Sequence, residues 1–219
     1  MRWSGLAALL GGLLCLLLTP IQASIFSGGE SPPLVLASRP LLDLADKIHD
    51  IFDPWLGLDE YYFYGRMFFL VYLGTIAGLV GLHTLQSGGV RRERLWFRVV
   101  LGGLVLALVG DIVAYWGGSG DISESPVQGL GFTFEMLAVL AVLISSMLYG
   151  RVTLGGDAVP RWAAWLLVIA GPAAVPAVFL THYIPHGAVL PFSLAMAIVG
   201  CFLLTRRHGP HRRRRRDPG

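Results

Sequence analysis

Two carboxylates sit in stretches that otherwise suit lipid. Asp111 lies inside VLALVGDIVAYWGG (105–118) and Glu135 inside GFTFEMLAVL (131–140). Asp111 comes six residues before Gly117, and Glu135 comes six residues after Gly129. Six residues of helix rise about 9 Å, so in neighbouring antiparallel helices the two groups sit level. This spacing fixes depth, not azimuth. Acids at such a depth face a bundle interior or a water-filled cavity and have a partner. Arg66 in YYFYGRMFF (61–69) and the histidines of THYIPHG (181–187), His182 and His186, are the candidate partners. Tyr115, Trp116 and Tyr183 fall at a similar depth. Arg66, Asp111, Tyr115, Glu135, His182, Tyr183 and His186 therefore define one expected polar zone.

Two chemistries fit these residue types. Level carboxylates repel unless a proton, Arg66 or a metal neutralises one of them. In the structural reading Arg66 pairs with an acid and fixes helix packing. In the functional reading Asp111 and Glu135 are an acid–base or proton-coupling pair, assisted by His182 and His186. The ligand types would permit a metal. However, Pro185 and Gly187 favour a turn over a helix that would align the two histidines, and the spacing matches no zinc signature. No metal and no cofactor is expected. No nucleophilic-serine, phosphate-loop or dinucleotide motif occurs.

The elements that must position these residues are membrane helices. The 219 residues are 54% hydrophobic and 14% charged, about half the charge of an ordinary soluble domain. Apolar runs occupy roughly 4–19, 66–86, 97–117, 129–150, 161–181 and 187–205. Backbone polar groups in hydrocarbon must be satisfied internally, so these runs are helices. The expected fold is an all-α bundle of six spans, or five if residues 1–23 are a cleaved signal peptide. MRWSGLAALLGGLLCLLLTPIQAS permits both, with a basic start, an apolar stretch and then Pro20 and Ala23. The bundle proper is expected over 64–205.

Loop charge orients the bundle. RRERLWFR (91–98), the 151–161 loop and the tail are basic and belong in the cytoplasm. The 24–65 stretch holds seven acids against Arg39 and Lys47, and 118–128 holds Asp121 and Glu124 and no base, so both belong outside. The expected setting is the plasma membrane, with the C-terminus cytoplasmic. Within the extracytoplasmic segment 24–63, positions 40–53 have the periodicity of an amphipathic helix. Its polar face is acidic, so it is expected to pack on the outer ends of the spans like a lid, with Ser38 as cap and Pro54 as stop. EYYFYG (60–65) reads as an interfacial aromatic belt.

Removing the tail 206–219, which holds seven arginines and Asp217, leaves a body of 10 bases and 13 acids. The tail, Arg206 to Arg216, reads as a disordered topology signal that touches anionic lipid. It lacks the interleaved aromatics of a nucleic-acid binder. Gly74 and Gly78 would allow close approach of a helix, including one from another membrane protein. The functional expectation is a non-enzymatic membrane component that binds a ligand, lipid or protein partner through the outward polar zone. A membrane-embedded enzyme acting on a lipid-linked or apolar substrate is the alternative, and a small proton-coupled transporter is a third. The poverty of polar residues in the cytoplasmic half, beyond His83, Thr84 and Ser145–Ser146, argues against transport.

Overall fold

The computed structural model describes residues 2–27, 32–86, 91–118 and 125–205. The basic tail, Asp121 and Glu124 lie outside them. Of the described residues 88% are helical, and none of them is in a strand. The helices are α1 (Arg2–Phe26), α2 (Pro33–Ala37), α3 (Arg39–Leu56), α4 (Glu60–Met67), α5 (Phe69–Leu85), α6 (Arg91–Trp116), α7 (Pro126–Thr153), α8 (Arg161–Thr181) and α9 (His186–Thr205). Among the described residues six stretches are long and apolar enough to cross a membrane: α1, α4–α5 taken together, and α6 to α9. This is an all-α bundle with the composition of a multi-pass membrane protein.

The second span starts earlier than its apolar run suggests. Asp59 caps α4 by accepting a hydrogen bond from the Tyr62 amide, as an Asp at this position commonly does. EYYFYG is thereby the first turns of a helix, and Tyr62, Phe63 and Tyr64 are buried in the bundle.

Small residues set the helix spacing. α6 packs along α7, α1 lies against both α9 and α5, and α8 bridges α7 and α9. At the α6–α7 crossing the backbones nearly touch. A Cβ added to Gly110 would fall 2.6 Å from the Glu135 amide nitrogen and 2.8 Å from the Gly131 carbonyl oxygen. Gly74 makes the equivalent approach to α1, where a Cβ would strike the Ala7 carbonyl oxygen and Gly11. Gly78 meets Ala8 of the same helix. The small-residue face expected to serve another membrane protein is thus occupied by the chain's own α1.

The segment that also suits a signal peptide packs into the core of the bundle, against α5 and α9. α1 continues through Pro20, and Ala23, the expected cleavage point, is buried inside the helix.

The expected lid helix is present, but it covers less than its amphipathicity suggests. α3 packs on α1 and α4, burying Ala45, whose carbonyl accepts a 2.6 Å hydrogen bond from the Tyr64 hydroxyl. Leu44, Ile51 and Trp55 of its apolar face stay exposed. Ser38 holds the cap position without a side-chain hydrogen bond. Pro54 does not stop the helix, which runs on to Leu56 and ends at Gly57 in the left-handed conformation, φ 58°. Glycine adopts that conformation without the Cβ penalty.

The α6–α7 contact yields a paired prediction. Gly110→Ala should lower the thermal unfolding temperature in detergent, with an overpacking cost of about 1–3 kcal/mol. Gly102→Ala, on the same helix but with open space around its Cβ position, should leave it unchanged or slightly raised.

Candidate buried carboxylate–histidine site

At the end of the bundle where α1, α6 and α8 finish and α4, α7 and α9 begin, the structure brings Asp111, Glu135 and His186 together. All three are completely buried. His186 is the first residue of α9, set there by the tight connection after α8. Its Nε2 lies 3.0 Å from Glu135 Oε1 and 3.6 Å from Asp111 Oδ1. One Nε2 hydrogen cannot serve both carboxylates well, and the geometry gives it to Glu135. The Tyr72 hydroxyl on α5 donates a second, 2.7 Å bond to the same Glu135 oxygen. Asp111 Oδ1 and Oδ2, Glu135 Oε2 and His186 Nδ1 have no hydrogen-bond partner. The imidazole plane is held by Phe68, stacked on it at 3.5 Å and 7°.

Beside the trio lies a closed circuit of hydrogen bonds. The Tyr183 hydroxyl donates to Gln22 Oε1 at 3.2 Å. Its single proton is then committed, so Tyr115 donates to Tyr183 at 2.7 Å and Tyr61 to Tyr115 at 3.2 Å. Gln22 Nε2 returns the chain to the Tyr61 carbonyl at 3.0 Å. The rings of Tyr115 and Tyr183 stand 5.5 and 5.3 Å from the His186 ring. Tyr183 lies in the α8–α9 connection, where burial raises its pKa well above the ordinary phenol value and keeps it a neutral O–H. Gln22, Tyr115 and Tyr183 are fully buried, and Tyr61 is the half-buried member.

Two expected members of the zone are elsewhere. Arg66 does not partner the acids. Its Nε donates to the Tyr115 carbonyl at 2.9 Å and its Nη2 to the Gly118 carbonyl at 3.3 Å, with the guanidinium 5.4 Å from the Trp116 ring centre. Those carbonyls end α6, where the helix dipole is negative and acceptors lack intrahelical donors, so Arg66 caps α6. His182 takes the left-handed cap of α8, φ 51°, and is exposed. The two histidines therefore lie on either side of a turn, as Pro185 suggests, and only His186 joins the acids.

Gln22, Tyr72, Phe68 and Tyr61 escaped the sequence reading. Tyr72 carries a usable signal: it is six residues past Arg66 in an apolar run, at a depth comparable with the acids. Gln22 was hidden because its segment also suits a signal peptide. The opposite end of the bundle is also more polar than expected. His83 Nδ1 pairs with Glu93 at 2.7 Å under a stacked Phe97, and Gln86 links Tyr149 to Thr153. These residues come from the ends of α5, α6 and α7.

No family model, curated protein or solved structure matches this chain. The meaning of the site rests on its own geometry.

The placement of Arg66 makes a prediction distinct from an ion pair with the acids. Arg66→Ala should destabilise the protein by about 1–3 kcal/mol through the lost charged hydrogen bonds. Its effect should add to that of Asp111→Asn in the double variant, measured by thermal unfolding. A direct Arg66–Asp111 pair would instead show coupling in the double-mutant cycle.

Proposed function

We propose that this chain is a plasma-membrane component that binds a small cationic ligand from the extracytoplasmic side in the Asp111–Glu135–His186 site, with no catalytic step of its own. The observation that carries this is the site's unmet demand. Three of the four carboxylate oxygens are buried without a hydrogen-bond partner, and Arg66, the arginine at comparable depth, is engaged on α6-end carbonyls. Buried acids left in this condition oppose stability, and a site that retains them does so for what they bind. The basic 91–98 and 206–216 segments support the orientation with the C-terminus cytoplasmic and α3 outside. In that orientation the half-buried Tyr61 is the gate nearest the outer face, and the arginine tail meets anionic lipid on the inner one.

An enzymatic reading has one observation in its favour. An apolar groove of about 510 Å³ runs between α7 and α8, and its lining includes Met136, Val139, Ile184 and Ala188. These residues flank Glu135 and His186 in sequence. A lipid chain lying there would bring its polar end near the trio, where the carboxylates could act as acid and base.

Thermal stability of Asp111→Asn and Glu135→Gln in detergent tests the site reading. Each variant should unfold no lower than the wild type, or higher, because neutralisation removes a buried charge that lacks a full set of partners. A fall of several kcal/mol in both would make the carboxylates packing partners and remove the case for a ligand site.

A further inference from the structure

We propose that Asp111, Glu135 and His186 are the protein ligands of a divalent transition-metal ion of the Zn²⁺ class. This deepens the ligand-site reading and rests on it. The donor atoms, one imidazole nitrogen and one oxygen from each carboxylate, lie within 4.8 Å of one another, all buried. In a tetrahedral site with metal–ligand bonds of about 2.0–2.1 Å, neighbouring donors are about 3.3 Å apart. The Nε2–Oε1 and Nε2–Oδ1 separations of 3.0 and 3.6 Å bracket that edge.

Charge and hydrogen bonding point the same way. A divalent ion on two carboxylates and a neutral imidazole leaves no net charge in a buried site, which a low-dielectric interior requires. It also gives Asp111 the contact it lacks, since neither of its oxygens has a hydrogen-bond partner. The His186 Nε2 hydrogen does not do this while it is donated to Glu135; with the ion bound, Nε2 would offer its lone pair to the metal and Nδ1 would carry the proton. The arrangement has supporting groups of the kind that hold metal ligands in place. Tyr72 donates to Glu135 Oε1 and fixes that carboxylate, while Phe68 fixes the imidazole plane. An imidazole donor selects against Ca²⁺ and Mg²⁺, which take oxygen ligands, and the absence of thiolate from the trio selects against Cu⁺. Three protein ligands leave a coordination position for water or for an incoming group.

The test uses the full-length protein in detergent, stripped with chelator and titrated with Zn²⁺ against a fluorescent zinc chelator. X-ray absorption at the zinc edge is then recorded on the loaded protein. The expected result is one zinc per chain with an oxygen- and nitrogen-only shell containing a single imidazole. Affinity should fall at least about a hundredfold in Asp111→Asn, Glu135→Gln and His186→Gln, and about tenfold in Tyr72→Phe, a change that leaves all three ligands in place. A sulfur ligand, two or more imidazoles, or equal affinity for Ca²⁺ would overturn the assignment. So would undiminished binding in His186→Gln, which would put the metal elsewhere, on His208 or His211 of the tail for example. Should the folded wild type bind no zinc while the two carboxylate variants keep their stability, the metal is wrong and the ligand site stands. Should it bind none while both variants are strongly destabilised, both readings fall.

Discussion

One imidazole nitrogen facing two carboxylates, in a volume closed to water, is the constraint around which this bundle is arranged. The three groups come from α6, α7 and α9, helices that must be held at fixed depth and azimuth for the groups to meet. Glycines set how closely the helices approach: that of Gly110 to Gly131 and the Glu135 amide brings the carboxylate-bearing helices almost to backbone contact. α1 and α5 connect α9 to the rest and contribute Gln22, Tyr72 and the glycine face that seats α1. Leaving Asp111 without a donor is tolerable only because the surrounding packing and the tyrosine circuit over-determine the geometry.

Depth was legible in the sequence and azimuth was not. Counting residues from Gly117 and Gly129 is enough to place Asp111 level with Glu135, because helical rise is constant and the span ends are marked by glycine and charge. The same count exposes Tyr72 once it is applied to the second span. Which residue faces which depends on the rotation of each helix about its axis. That rotation is set by small-residue contacts such as Gly11 with Gly74, in runs so uniformly apolar that no periodic face shows. Arg66 illustrates the consequence. Its sign and depth suit the acids, yet its fork reaches the open carbonyls at the end of α6, which charge counting does not register. Six spans and their order were readable from hydropathy. The role of α1 was not, because a signal peptide and a short first helix share one composition.

α3 shows a related limit. Its two faces were evident from spacing alone, but the extent of burial depended on what the bundle offered it. Ala45 is buried, Leu41, Leu42 and Ile48 pack against the core and Phe52 stacks on Phe63, while Trp55 and Ile51 stay exposed. Pro54 falls in the last turn of α3, so the helix it would disrupt has only two residues left to run.

The pairing of α1 with α9 bears on how the protein is made. His186 follows both carboxylates in the chain by more than fifty residues, so during synthesis α6 and α7 reach the membrane before their histidine exists. An unaccompanied acid costs up to about 2.5–3.5 kcal/mol to insert, the value at a helix centre. The α6–α7 hairpin must therefore carry Asp111 and Glu135 on the strength of its own apolar residues and its close glycine crossing. Meanwhile α1 waits, its glycine face half covered by α5, until α9 arrives. Completion of the site and closure of the described bundle are then the same event, governed by the arrival of α9.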